Sequence, residues 1–270
     1  MRTRVSGSRL GTIGLALALA ALASCAEKAP RPPKEKFPGM TARQIYEVAY
    51  GQIKKKKYSR ARDTLQSALG RQDTTPEVTA LVHLALADAY FLDGGIINLA
   101  EAQSRYTNFV TFYPNHDRAD YAQYQIGLCH LKQALNPDRD QSQTRKALLE
   151  LQKVEDVYPN SAYVDEAFAK ADEARERIAE HGFRIGYFYY RKEAFEGAVS
   201  RLRVVLEEFP RYSRKDRLYL VLGKSLIALS KEDEGDLYLK KLVAEFPASP
   251  YVPEARSLLE RHGETIGGGR

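Results

Sequence analysis

The sequence predicts an all-α fold: a right-handed solenoid of about five helix pairs, closed by a C-terminal capping helix. Three observations carry that prediction. Aromatic-proline pairs recur at Tyr113-Pro114, Tyr158-Pro159, Phe209-Pro210 and Phe246-Pro247, each closing an amphipathic segment. Behind each proline the same offsets return. Twelve residues upstream stands a small residue (Ala102, Ala147, Ala198, Gly235), eight upstream a large one (Tyr106, Leu151, Leu202, Leu239), and five upstream Phe109, Val154, Val205 and Leu242. Within one unit, Phe195, Ala198, Leu202, Val205, Leu206 and Phe209 fall at i, i+3, i+7, i+10, i+11 and i+14, a single helix face. Nothing reads as strand. Self-similarity at a fixed period marks a repeat architecture, whose units bury their apolar faces only by stacking.

In chain order, Thr41 followed by Gln44 fits a capping box and starts the first helix. The first unit lacks the proline but keeps the spacing, with Tyr58, Ala61, Leu65 and Ala68. Units two and three carry insertions between their helices, around Gly94-Gly95 and from Asn136 to Gln143. Ser161 to Arg191 reads as one long helix, or two nearly in line, with Gly182 and Gly186 tolerated inside. After Pro247 a capping helix runs from about Tyr251 to His262, and residues 263–270 form a disordered tail. The last two units keep a glycine twenty-four residues before the proline, Gly186 and Gly223. This pattern resembles the tetratricopeptide repeat, a pair of antiparallel helices. A small residue lets the two helices approach, large ones fill the space between units, and proline stops the second helix.

The N-terminus has a different character. Arg2, Arg4 and Arg9 precede an apolar stretch from Leu10 to Ala23, and no acidic residue occurs before Glu27. A basic start, a short apolar segment and small residues at its end describe a secretory signal, too short for a membrane span of about 20 residues. Leu22-Ala23-Ser24-Cys25 resembles the bacterial lipobox, in which the cysteine thiol receives diacylglycerol and the preceding peptide is removed. An ordinary signal with a chance cysteine is the alternative. Ala26 after the cysteine, rather than Asp, resembles signals sorted to the outer membrane. On this reading 1–24 is the signal, 25–40 is a tether rich in Pro and Lys, and 41–262 is the solenoid. Pro30, Pro32, Pro33 and Pro38 favour an extended tether reaching about 40 Å.

Composition narrows the function. Loss of the three signal arginines lowers the formal charge from +6 to +3, too little for a dedicated nucleic-acid face. With Cys25 lipidated, Cys129 has no disulfide partner and reads as a buried small hydrophobe. The five histidines are scattered, and no metal-binding spacing, P-loop or nucleophile elbow occurs. We therefore expect no catalytic residues, no metal and no cofactor. A helical solenoid instead offers a long concave surface for peptides or partner domains. Tyr187, Tyr189 and Tyr190 cluster before Arg191; some should face that groove, against the alternative of packing on the neighbouring helix. The run Lys54-Lys55-Lys56-Lys57, with Arg60 and Arg62, is either a solvated turn or a site attracted to an anionic membrane or an acidic partner.

A lipobox, a Pro-rich tether and five repeats with long insertions together resemble the BamD family, lipoproteins of the outer-membrane β-barrel assembly machine. The resemblance is carried by Asp138-Arg139-Asp140, by Val157-Tyr158-Pro159-Asn160-Ser161, by Tyr189-Tyr190-Arg191 and by the stretch from Gly186 to Pro210. It implies a lipid-anchored protein on the periplasmic face of the outer membrane. Such a protein docks on the periplasmic domains of the barrel-forming subunit, works beside other assembly lipoproteins and receives unfolded barrel precursors. It further implies subunit contact through the arginine preceding the large residue of unit four, here Arg201, with Arg203 and Arg214 contributing. Asp73-Thr74-Thr75-Pro76-Glu77 replaces the family's aromatic-proline turn after the first unit, which puts the precursor-binding role of that region in question. An adaptor for another envelope system, such as secretin or pilus assembly or envelope coordination at division, is the alternative with the same architecture.

Overall fold

The computed structural model describes residues 36–267, with side chains to 261; Cys25, the signal and most of the tether lie outside these, as do 268–270. The chain divides into two units, Met1–Pro38 and Gly39–Arg270. Within the second, eleven helices and no strands occur among the described residues: α1 (Ala42–Lys54), α2 (Tyr58–Leu69), α3 (Pro76–Asp93), α4 (Ile96–Phe112), α5 (Ala119–Gln133), α6 (Ser142–Val157), α7 (Val164–Arg191), α8 (Phe195–Glu208), α9 (Lys215–Ala228), α10 (Glu232–Glu245) and α11 (Val252–Gly267). Each helix packs on the next, giving five antiparallel pairs and a final helix, the expected tetratricopeptide solenoid. Odd-numbered helices also touch one another, α1 with α3, α5 with α7 and α7 with α9. They form the inner row, and the even-numbered helices splay outside it.

The repeated sequence positions are the core. Ala102, Ala147 and Ala198 are fully buried, as are Tyr106, Leu202 and Leu239. The residue five before each proline has a second task. Its carbonyl accepts the N–H of the aromatic that closes the helix: Phe109 from Tyr113 at 2.8 Å, and Val154 from Tyr158, Val205 from Phe209 and Leu242 from Phe246 at 3.0 Å each. The proline that follows has no N–H to leave unpaired. The serine after the turn then locks one unit to the previous one: Ser161 Oγ donates to Asp120 Oδ2 at 2.7 Å and Ser249 Oγ to Asp216 Oδ2 at 2.6 Å.

Gly186 and Gly223 mark close helix crossings. A Cβ on Gly186 would lie 2.6 Å from Leu202 Cδ2, and one on Gly223 would lie 3.0 Å from the Gly235 carbonyl. Gly127 plays the same part against Leu151, at 2.6 Å. It precedes its proline by thirty-two residues, because the connection 134–141 is longer than 192–194 and α6 is longer than α8.

Three local readings change. The expected insertion at Gly94-Gly95 is not a loop: the extra residues lengthen α3 and α4, and the two glycines alone make the turn at φ 75° and 81°. Such angles favour glycine. The turn after unit one dispenses with an aromatic, since Thr75 caps α3 by accepting the Val78 N–H at 3.3 Å with Pro76 in the first turn. Finally, α11 runs through Gly263 to Gly267, beyond the expected end at His262.

One polar cluster joins α3, α4 and α5. Asp88 Oδ1 accepts from Tyr106 Oη at 2.6 Å and from Tyr121 Oη at 2.9 Å. Burial raises the Asp88 carboxyl above its ordinary value despite both donors, and Arg118 lies over the Tyr121 ring, 4.5 Å from its centre.

Candidate functional site

The single 28-residue helix α7 organises a chemically varied surface. Its core face follows a helical period through Ala171, Ala174, Ile178, Ala179, Phe183 and Gly186. Its other face borders two clefts of opposite charge. The N-terminal half meets the α8–α9 turn around a cleft of about 600 Å³, where Asp172, Glu173, Glu176 and Glu208 outnumber Arg175 and Arg211. The C-terminal half borders a cleft of about 360 Å³ that contains four arginines, Arg184, Arg191, Arg214 and Arg217, against Asp138 and Glu180.

Glu180 stands between them with its side chain only 12% exposed. It accepts from Tyr212 Oη at 2.6 Å and from Arg184 Nε at 2.7 Å, with Arg214 at 3.8 Å. Burial alone would raise its carboxyl, but the tyrosine and the guanidinium groups outweigh burial and hold it below its ordinary range. Tyr212 is raised, by burial and then by Glu180. Arg184 also pairs with Asp138 of the 134–141 connection, and His181 Nδ1 lies 2.6 Å from the Pro137 carbonyl. The long connection is thus folded back onto α7 and forms one wall of the cleft.

The cleft floor is aromatic. Phe183, Tyr187 and Tyr190 stack at helical spacing, with ring centres 5.9 and 6.0 Å apart. Arg217 lies over the first two, 4.8 and 4.7 Å from their centres. Of the three tyrosines singled out in the sequence, Tyr187 lines the cleft. Tyr189 turns to the start of α8, where a Cβ on Gly197 would come within 3.0 Å of its ring. Tyr190 packs against Phe195 and under Lys224. Phe188, passed over in the sequence, lines the cleft and is 58% exposed. An apolar residue spaced i+4 from Arg184 and i−3 from Arg191 on a polar face was the available signal.

The three expected docking arginines differ in their partners. Arg203 pairs with Glu234 of α10, and Arg214 faces Glu180 in the cleft. Arg201, on the other flank of the buried Leu202, is exposed and makes no ion pair among the described residues. No group of His, Cys, Asp or Glu placed to hold a metal occurs among the described residues.

Stacked helix pairs bearing a charged, aromatic cleft define a helical-repeat binding scaffold. The chain belongs to the YfiO family of outer membrane lipoproteins, whose model matches residues 38–236. It is similar to outer membrane protein assembly factor BamD of Caulobacter vibrioides, 25% identical over 252 residues, covering 93% of this chain and 81% of the relative. The corresponding Vibrio cholerae protein is 25% identical over 209 residues, covering 74% of this chain and 83% of the relative. Among solved structures, the TPR2AB-domain complex of yeast Sti1 is similar over 76% of this chain and 78% of that one, with 15% identity and a TM-score of 0.43.

Proposed function

We propose that this protein is a non-catalytic scaffold of the β-barrel assembly machinery, held by lipid at Cys25 on the periplasmic face of the outer membrane. It docks on the periplasmic domains of the barrel-forming subunit, alongside other assembly lipoproteins, and receives unfolded barrel precursors; nucleic acid has no part in it. The observation that carries this reading is the family match, which spans residues 38–236 and includes all the residues that line the two α7 clefts. Relatives named as outer membrane protein assembly factors support the same role.

Arg201 is the proposed docking residue, since it is exposed and makes no ion pair among the described residues. The cleft with Phe188, Tyr187, Arg191 and Arg217 offers a second contact, for segments that combine aromatic and carboxylate groups. Crosslinking followed by recovery of the tagged protein tests the proposal. The barrel-forming subunit should be recovered, and Arg201→Glu should weaken that recovery while the helical signal stays intact. Recovery of a secretin in its place would overturn the reading.

A further inference from the structure

The inner and outer helices of each pair join at one edge of the solenoid, and the first two tips on that edge differ from the rest. At the α1–α2 tip, Lys54, Lys55, Lys56 and Lys57 are all exposed, with Arg60 beside them, and none makes an ion pair among the described residues. Lys56 is held at φ 58°, so the chain reverses within the lysine run itself. At the α3–α4 tip, Gly94 and Gly95 turn the chain, and the next two residues are Ile96 and Ile97, 78% and 85% exposed. Leu92, 50% exposed, stands on the other side of the turn. Ile96 and Ile97 are the most exposed large hydrophobics among the described residues.

The two tips are fastened together. Arg62 of α2 pairs with Asp93 at the end of α3, at 2.7 Å, and lies over the Tyr90 ring at 4.5 Å. Asn98 Nδ2 donates to the same carboxylate at 3.2 Å. Asp93 is thereby occupied internally, by Arg62 and Asn98. The third tip, the 134–141 connection, carries Asp138, Arg139 and Asp140, one net negative charge, and lacks the lysine run.

Lys54 lies over the Tyr50 ring at 4.7 Å, while Lys55, Lys56 and Lys57 are exposed beyond it. From this juxtaposition of exposed lysines and protruding isoleucines we propose that the α1–α2 and α3–α4 tips form a site that seats on an anionic phospholipid bilayer. The lysines meet the headgroups while Ile96, Ile97 and Leu92 enter the interfacial layer. A bilayer fits these observations better than a protein does. Two isoleucines on a convex tip present too little area for a standard interface of about 800 Å² per partner, whereas interfacial partition needs no complementary surface. Each lysine near an anionic surface strengthens binding by about fivefold. The inference rests on the membrane-anchored reading above; it adds that the solenoid lies against the bilayer along this edge rather than hanging free on its tether.

The test uses the full lipidated chain, with Ile97→Cys carrying an environment-sensitive fluorophore, incorporated in vesicles. Cys129 is fully buried and its thiol is pushed up to about 12 by burial, so it stays unlabelled at neutral pH. The mass of the recovered protein reports whether Cys25 carries lipid, which separates failure of the anchor from failure of this site. With the anchor present, the probe should shift to the blue in phosphatidylglycerol vesicles and be quenched by lipid-borne nitroxide. A probe at Leu237→Cys, on exposed α10, should not respond. Substituting Lys54–57 by Gln, or raising the salt, should lower the seated fraction about tenfold or more. Equal signals at 97 and 237, no dependence on the lysines, or shielding only after a protein partner is added would each overturn the proposal.

Discussion

Two carboxylates, Asp88 in the second unit and Glu180 in α7, receive tyrosine hydroxyls at 2.6 Å and yet titrate in opposite directions. Asp88 bridges three helices through Tyr106 and Tyr121, and burial raises it. The nearby cation, Arg118, spends its charge on a ring face. Glu180 is also enclosed, but Arg184 touches it directly and Arg214 stands close by, and it is lowered. The tyrosine is common to both; the placement of the guanidinium decides the sign. The first cluster therefore serves to bind helices together, whereas the second keeps a fixed negative charge among arginines at the edge of an open cleft.

The largest effect should come from breaking the first cluster. Asp88→Ala leaves two tyrosine hydroxyls without an acceptor and should cost about 2–4 kcal/mol in denaturant unfolding. Next, Gly186→Ala puts a methyl group 2.6 Å from Leu202 and should force α7 and α8 apart, at about 1–3 kcal/mol. A midpoint equal to that of the parent would show that this crossing is loose.

Glu180→Gln should cost less, about 1 kcal/mol, because Arg184 and Arg214 can turn to water. The two clusters also differ in pH dependence. Asp88, raised in the fold, contributes stability that is present at low pH and lost as pH rises from about 3.8 through its folded value. Glu180, lowered in the fold, contributes stability above about 4.5 that is lost as pH falls through its folded value. Unfolding curves of Asp88→Asn and Glu180→Gln in the acid range should thus diverge from the parent with opposite slopes. Parallel slopes would remove the distinction. Smallest in stability is Arg201→Glu, within about 0.5 kcal/mol, since its side chain is exposed and makes no ion pair among the described residues.

The repeat core was legible because the same burial must be solved at every unit. Ala102, Ala147 and Ala198 occupy identical offsets and are buried alike. Gly127 escaped notice because the longer connection and the longer α6 shifted it out of register, although it does the work of Gly186. The α7 cleft was only partly legible. Tyr187 was picked out by composition, while Phe188 and the arginines Arg184, Arg191 and Arg217 converge from α7 and α9 across a fold that no linear spacing records. Likewise, Arg201 and Arg203 are near neighbours in sequence but lie on opposite flanks of α8.

Site-specific photo-crosslinking in cells tests whether this solenoid is a docking scaffold for the barrel-forming assembly subunit. Crosslinkers at position 201 and at Phe188 should capture that subunit or an unfolded barrel precursor. One at Leu149, equally open on α6 at 60% exposure, should serve as the silent control. Capture of a secretin or a division protein at 201 and 188, or no difference from 149, would contradict it.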